Sequence, residues 1–292
     1  MFVMINGKLV SKKKAVVSVF DHGFLYGDGA YETLRVYDGR AFQVKAHLRR
    51  LANSLRGLRL QVPWSAATIE RMIQKTIDAN RIKETVVRLT ISRGPGPYGF
   101  DPRPLKNPQI VISCFPFVPY PSWYHARGVT AALVSVRRNN PLSLPPSVKS
   151  TNCLNGILAK MEANDLGAQE ALFLTVDGFL TEGTVCNVFL VKKGILKTPR
   201  LDGTFLPGVT RALVLSLARA GKIPIGETRL TARDLRSADE IFLTNTTMEV
   251  MPVARVIDNS GGRRRSIRMP AARPVTRLLM EAFNAKLRSV KF

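Results

Sequence analysis

Pro146-Ser147-Val148-Lys149-Ser150-Thr151-Asn152-Cys153-Leu154-Asn155 sets a lysine at the end of an extended run and just before a helical pattern. Farther along, Thr181-Glu182-Gly183-Thr184-Val185-Cys186-Asn187-Val188-Phe189 puts a lone carboxylate on a strand that otherwise reads as apolar. By default such a lysine is a solvated surface group, and a strand glutamate faces water. Together they are also an amine nucleophile and a fixed carboxylate, a pair with catalytic uses.

Upstream of the lysine, Phe2–Ile5 followed by Asn6-Gly7 and a second apolar run predicts an opening hairpin. Gly27-Asp28-Gly29 leads into the alternating Tyr31-Glu32-Thr33-Leu34-Arg35-Val36-Tyr37, and Asp38-Gly39 turns it back through Ala41-Phe42. Leu48, Leu51, Ala52 and Leu55 share a helix face, with Arg50 beside the stripe. An arginine there snorkels to water or turns inward as a bidentate phosphate clamp. A second helix is expected over 65–80. A strand is expected over 85–93, with Val87, Leu89 and Ile91 on one face and Arg88 in the opposite set. Residues 93–102 form a glycine- and proline-rich loop too rigid for a flexible linker. After the strand at 109–113, prolines at every second or third position over 115–122 stop a helix or a central strand. The expected division is an N-terminal domain 1–118, a linker 119–127 and a C-terminal domain 128–292.

Downstream, a strand over 128–136 leads to the lysine. Leu154, Ile157, Leu158 and Met161 then share one face of a helix over 152–166, stopped by Gly167. A hairpin is expected from 169–175, Asp177-Gly178 and 180–191, with a further strand at 195–198. Glu182 falls on a central sheet, where a carboxylate without a partner is costly. It meets a cationic ligand group, or it lies at the strand's exposed start beside a surface lysine. Leu206-Pro207-Gly208-Val209-Thr210-Arg211 opens a helix whose first-turn amides, with the Thr210 hydroxyl, form a ready anion site. The strand at 239–247 ends in Thr246-Thr247, a pair also common in turns.

The 292 residues suffice for one large or two modest domains. Hydrophobic and charged fractions of 45% and 22% are ordinary, whereas a net charge of +23 is not. That charge suggests nucleic acid, an anionic surface or acidic substrates. The basic residues are nevertheless spread out; only Lys12-Lys13-Lys14 and Arg263-Arg264-Arg265 form short runs, without interleaved aromatics. Cys114, Cys153 and Cys186 lack C-x-x-C spacing, which argues against a disulfide framework or zinc site. His22, His47 and His125 are not at metal-ligand spacing, so no metal is expected. The apolar start is too short for a signal peptide, and no stretch approaches the roughly 20 apolar residues of a membrane helix. A cytoplasmic protein is the expectation.

Gly27-Asp28-Gly29-Ala30-Tyr31-Glu32-Thr33, Lys149, Glu182 and Phe242-Leu243-Thr244-Asn245-Thr246-Thr247 occur in that order over most of the chain. This resembles the class IV aminotransferase family, the fold type IV pyridoxal-phosphate enzymes that include branched-chain aminotransferases, D-amino acid aminotransferases and aminodeoxychorismate lyases. The resemblance implies an α+β, two-domain fold, with a small α/β N-terminal domain and a larger C-terminal domain carrying a β-barrel-like sheet. It implies pyridoxal 5'-phosphate held by Lys149 as a Schiff base, with Glu182 keeping the ring nitrogen protonated. Arg50, in an H-x-x-R-L pattern, together with Val209, Thr210 and Thr246, would hold the phosphate, and Leu206 would pack on the ring. Tyr31, Arg88, Tyr98 and Thr247 would face the substrate. The activity implied is transamination between an amino acid, most readily a branched-chain L-amino acid, and a 2-oxo acid such as 2-oxoglutarate, by a homodimer. Tyr98 and Phe100 replace the basic pair that D-specific members carry, and Cys153 stands where branched-chain members commonly have a tyrosine. Aminodeoxychorismate lyase, forming 4-aminobenzoate and pyruvate, is the alternative within the family. A basic nucleic-acid-binding protein without catalysis is the alternative outside it.

Overall fold

The structure is a computed structural model that describes residues 1–261 and 264–289. Arg263 of the basic run and residues 290–292, at the end of the expected second domain, lie outside them. The chain divides into two compact units.

The first unit comprises Met1–Val118 and Val148–Cys153. Its strands are β1 (Phe2–Ile5), β2 (Lys8–Ser11), β3 (Gly29–Tyr37), β4 (Arg40–Ala41), β5 (Thr85–Ser92) and β6 (Gln109–Pro116), and its helices are α1 (His22–Tyr26), α2 (Val44–Gly57) and α3 (Ala66–Asn80). The strands form one antiparallel sheet in the order β2-β1-β6-β5-β3-β4. Period-2 alternation aims Leu34 and Val36 of β3, with Val87, Leu89 and Ile91 of β5, into a core against Leu48, Leu51 and Leu55 of α2 and Ile69, Ile73 and Ile77 of α3. The same alternation carries Glu32 onto that core-facing side and leaves Tyr31 and Arg88 on the other. Pro116 ends a strand that lies between two others, yet β1 pairs only with residues 111–113 of β6, so the missing N–H disrupts no ladder on that side.

The second unit comprises Pro119–Ser147 and, among the described residues, 154–261 and 264–289. It contains α4 (Ser122–Arg127), β7 (Val129–Leu133), α5 (Leu154–Asp165), β8 (Glu170–Leu174), β9 (Phe179–Gly183), β10 (Asn187–Lys192), β11 (Ile195–Pro199), α6 (Val209–Ala220), β12 (Ile225–Thr228), β13 (Leu230–Thr231), α7 (Ala232–Ser237), β14 (Glu240–Asn245), β15 (Glu249–Asp258), β16 (Arg265–Arg268) and α8 (Pro274–Ser289). The path β10-β14-β15-β7-β8-β9 closes on itself through one further pairing, Asn187 opposite Glu182, giving a six-stranded barrel-like sheet. The architecture is the expected α+β. Leu172, Leu180, Val188, Leu190, Leu243 and Val253 are among the side chains that form its largest apolar core.

Two differences from the sequence reading, and one choice that it left open, have physical causes. Residues 122–127, expected as linker, form the short helix α4, which begins immediately after Pro121, where a proline's fixed φ suits a helix entry. The segment Val148–Cys153 belongs to the first unit, because Ser150 bridges to Ala30 and the Thr151 N–H donates to Gly29 O at 2.8 Å. The apolar stripe of α5 is the exposed face: Leu154, Ile157, Leu158 and Met161 are open to solvent in the single chain. The buried face is instead Ala159 and Ala163, small enough to let the helix lie close against Ala132, Val134, Ala171 and Phe173.

Candidate active site

In the first unit, β3 and β5 pair with Thr33 opposite Arg88, which sets Arg88 diagonal to Tyr31 on one face. The Arg88 Cζ lies 3.4 Å from the Tyr31 ring centroid, and Lys149 Nζ lies 4.3 Å from it. Cys153 Sγ is 3.8 Å from the Tyr31 hydroxyl. Tyr31, Arg88, Lys149 and Cys153 therefore form one cluster. Burial, assisted by Cys153 and opposed by Arg88, pushes the Tyr31 phenol up to about 12, so it remains a proton donor throughout the neutral range. Tyr98 does not join this cluster and is 93% exposed on its loop.

Behind the cluster, Glu32 faces α2 and is wholly buried. Arg50 donates from Nε to Glu32 Oε1 at 2.8 Å and from Nη2 to Oε2 at 2.7 Å, while His47 Nδ1 meets Oε2 at 2.8 Å. A carboxylate only accepts, so His47 carries its proton on Nδ1. Arg50 thus neither snorkels nor stands as a bare clamp. It is locked into a bidentate pair that fixes where the guanidinium sits.

In the second unit, Glu182 is buried at the pairing that closes the barrel. From the sequence alone its expected partner is a ligand cation or a surface lysine. Its partner is Arg138, whose Nε donates to Oε1 at 2.8 Å and whose Nη1 donates to Asn155 Oδ1 at 2.8 Å. Glu182 Oε2 also accepts the Leu206 N–H at 3.2 Å. Asn187 Nδ2 donates to Leu206 O at 3.0 Å, and a Cβ on Gly208 would lie 1.9 Å from Asn187 Oδ1, so a side chain there would have to displace the amide that holds Leu206. Gly208 caps α6 with extended backbone, and Val209 and Thr210 supply the first-turn amides. Thr246 and Thr247 follow β14 in a turn built on Asn245 Oδ1, which accepts the Thr247 N–H at 2.8 Å, its hydroxyl at 3.1 Å and the Met248 N–H at 2.7 Å. Among the described residues no group of three or more His, Cys, Asp or Glu could hold a metal ion.

The family model for amino-transferase class IV matches residues 29–256. The chain is a class IV aminotransferase. It is 43% identical over 263 residues to a Methanocaldococcus jannaschii protein named "Putative branched-chain-amino-acid aminotransferase", covering 89% of this chain and 90% of that one. It is 34% identical to the aminodeoxychorismate lyase of Bacillus subtilis, over 87% of this chain and 86% of the relative. Among solved structures, the branched-chain aminotransferase of the thermophilic archaeon Thermoproteus uzoniensis, with norvaline, superposes with a TM-score of 0.89 at 30% identity, covering 100% of this chain and 96% of that one.

Class IV aminotransferases use pyridoxal 5'-phosphate, and the donor set here fits that group. A buried carboxylate suits a protonated ring nitrogen, and the first turn of α6 with the Thr210 hydroxyl suits a phosphate. Sequence reasoning missed Arg138 as the partner of Glu182, although a carboxylate on a barrel strand demands a cation. It also missed Glu32 and His47 as the groups that hold Arg50. The signal was available in part: Glu32 alternates with core residues of β3, and His47 and Arg50 are three apart on one helix.

Proposed function

We propose that this class IV aminotransferase moves the amino group between a branched-chain L-amino acid and a 2-oxo acid such as 2-oxoglutarate, with Lys149 as its catalytic residue. The observation that carries the reading is the cluster in which the Lys149 amine lies 4.3 Å from the ring centroid of Tyr31, itself stacked against Arg88. Pyridoxal phosphate, when bound, supplies the electron sink that makes the substrate's α-proton acidic. Lys149 Nζ would hold the cofactor and, once freed by the incoming amino group, would serve as the base that takes the α-proton and returns it to the neighbouring carbon. Glu182 would hold the proton on the ring nitrogen, and its ion pair with Arg138 fixes where that carboxylate sits. Arg50, Val209, Thr210 and Thr246 would hold the phosphate, and Leu206 would pack on the ring. Tyr31, Arg88 and Thr247 would face the substrate, and Tyr98, exposed on its loop, would do so only from the partner of the dimer proposed below. Incubation with isoleucine and 2-oxoglutarate is expected to form glutamate.

A second reading is favoured by the relative named as a lyase and by Cys153, a weaker hydrogen-bond donor than a tyrosine. If aminodeoxychorismate yields pyruvate and 4-aminobenzoate while isoleucine yields no glutamate, the lyase replaces the transaminase.

We further propose a cytoplasmic homodimer. Its support is exposed apolar surface: Phe20, Phe24, Tyr98 and Phe100 in one unit, and the Leu154, Ile157, Leu158 and Met161 stripe in the other. The three cysteines are all free, which suits a reducing compartment. Sedimentation at the mass of one 32.3 kDa chain would overturn the dimer.

A further inference from the structure

The backbone of Lys149 is gripped from two sides. Its carbonyl accepts the Tyr31 N–H at 3.0 Å, which ties it to β3. Its own N–H donates to Ser54 Oγ at 3.0 Å, which ties it to α2. Ser54 is 1% exposed and lies four residues beyond Arg50, one helical turn along the same face. Three residues farther, a Cβ built on Gly57 would fall 2.5 Å from Val148 Cγ2, so the lysine segment lies directly against helix backbone. The residues that follow are anchored to the start of β3: Thr151 Oγ1 donates to Gly27 O at 2.7 Å, beside the Ser150–Ala30 bridge.

We propose that Ser54 is a positioning residue for Lys149. By accepting the lysine's N–H, it fixes the Cα from which the amine swings and refers that Cα to the helix that carries Arg50. This rests on the assignment of Lys149 as the cofactor lysine. A lysine that moves a proton between adjacent carbons has a long, flexible side chain, so its one rigid reference is the backbone. A displacement of about 1 Å at a reacting group can cost about 100-fold in rate. Helix α2 supplies a stiff ruler, because one turn advances about 5.4 Å with little freedom to stretch. The hydroxyl of Ser54 is the side-chain part of that grip, and an alanine removes it without adding bulk.

The test uses the full chain with Ser54→Ala and Ser54→Thr. In Ser54→Ala without added cofactor, the Lys149 amide is expected to exchange its hydrogen about tenfold faster than in the unaltered protein. With cofactor, kcat for isoleucine and 2-oxoglutarate should fall about tenfold with little change in KM, and the pH at which the visible band changes should shift. Ser54→Thr, which keeps the acceptor, should restore most of both. If Ser54→Ala does not fold, Ser54→Cys, with a weaker acceptor, should show the same changes in smaller measure. Unchanged exchange, kcat and band pH, or a lowered melting temperature alone, would overturn the proposal. Failure of the underlying assignment looks different: borohydride treatment of the unaltered protein would then label a residue other than Lys149, or none.

Discussion

Replacing Lys149 with alanine is expected to remove both the visible absorbance of the bound cofactor and turnover, the latter by at least about 10⁴-fold. The amine has two duties on this reading, as the carrier of the aldehyde and as the base for the α-proton, and alanine serves neither. The fold should survive. Lys149 is only half-buried, and the groups that hold its segment are the Tyr31 N–H, Ser54 Oγ and the Thr151 contacts, all of which remain. Lys149→Arg separates charge from chemistry. It keeps a cation near the Tyr31 ring, but guanidinium stays protonated and is a poor nucleophile, so it should be as inactive as alanine. Added cofactor should not colour either variant. Retained colour together with retained turnover in Lys149→Ala would move the catalytic amine elsewhere.

The parts of the fold legible in the sequence were those set by period. Alternation in β3 and β5 placed Val87, Leu89 and Ile91 together and Arg88 opposite, and the register then brought Arg88 onto Tyr31. The α2 stripe at Leu48, Leu51 and Leu55 packs where its spacing says. What period could not show was which of two faces a helix buries. The bulky stripe of α5 is exposed because alanines allow a closer approach on the other side, a choice made by the neighbouring sheet. Nor could spacing supply the partners of buried charges. Glu182 and Arg138 are far apart in sequence and meet because of how the barrel strands are ordered, while Glu32 reaches Arg50 because a strand and a helix pack face to face. Lys149 and Arg50 stand out singly in the sequence; Ser54, which links the lysine backbone to the arginine's helix, makes no pattern in one dimension.

Glu32→Gln should be the costliest substitution away from the reacting groups. It removes the carboxylate that two cationic or polar partners share, leaving Arg50 buried with a neutral amide. Breaking a buried pair from one side costs about 3–5 kcal/mol. The titration argues the same way. Burial raises the Glu32 pKa, but hydrogen bonds from Arg50 and His47 outweigh it and hold the carboxyl at about 2, against an ordinary 4.5. A depression of that size corresponds to about 3 kcal/mol at neutral pH. His47 is also held below its ordinary 6.5, chiefly by burial, with Glu32 opposing. Both folded pKa values are depressed, so both contributions are present above the ordinary values and are lost on acidification. The His47 loss begins as pH falls through about 6.5, and the Glu32 loss follows below about 4.5 toward 2. Denaturant unfolding of the unaltered protein and Glu32→Gln from pH 7 to pH 4 is the measurement. The gap between the two curves should be widest at neutral pH and should narrow below about 4.5, where protonation of Glu32 in the unfolded chain begins to remove the carboxylate's advantage. A gap that stays constant across that range, or a variant as stable as the unaltered protein at pH 7, would mean that Arg50 is held by something other than this carboxylate.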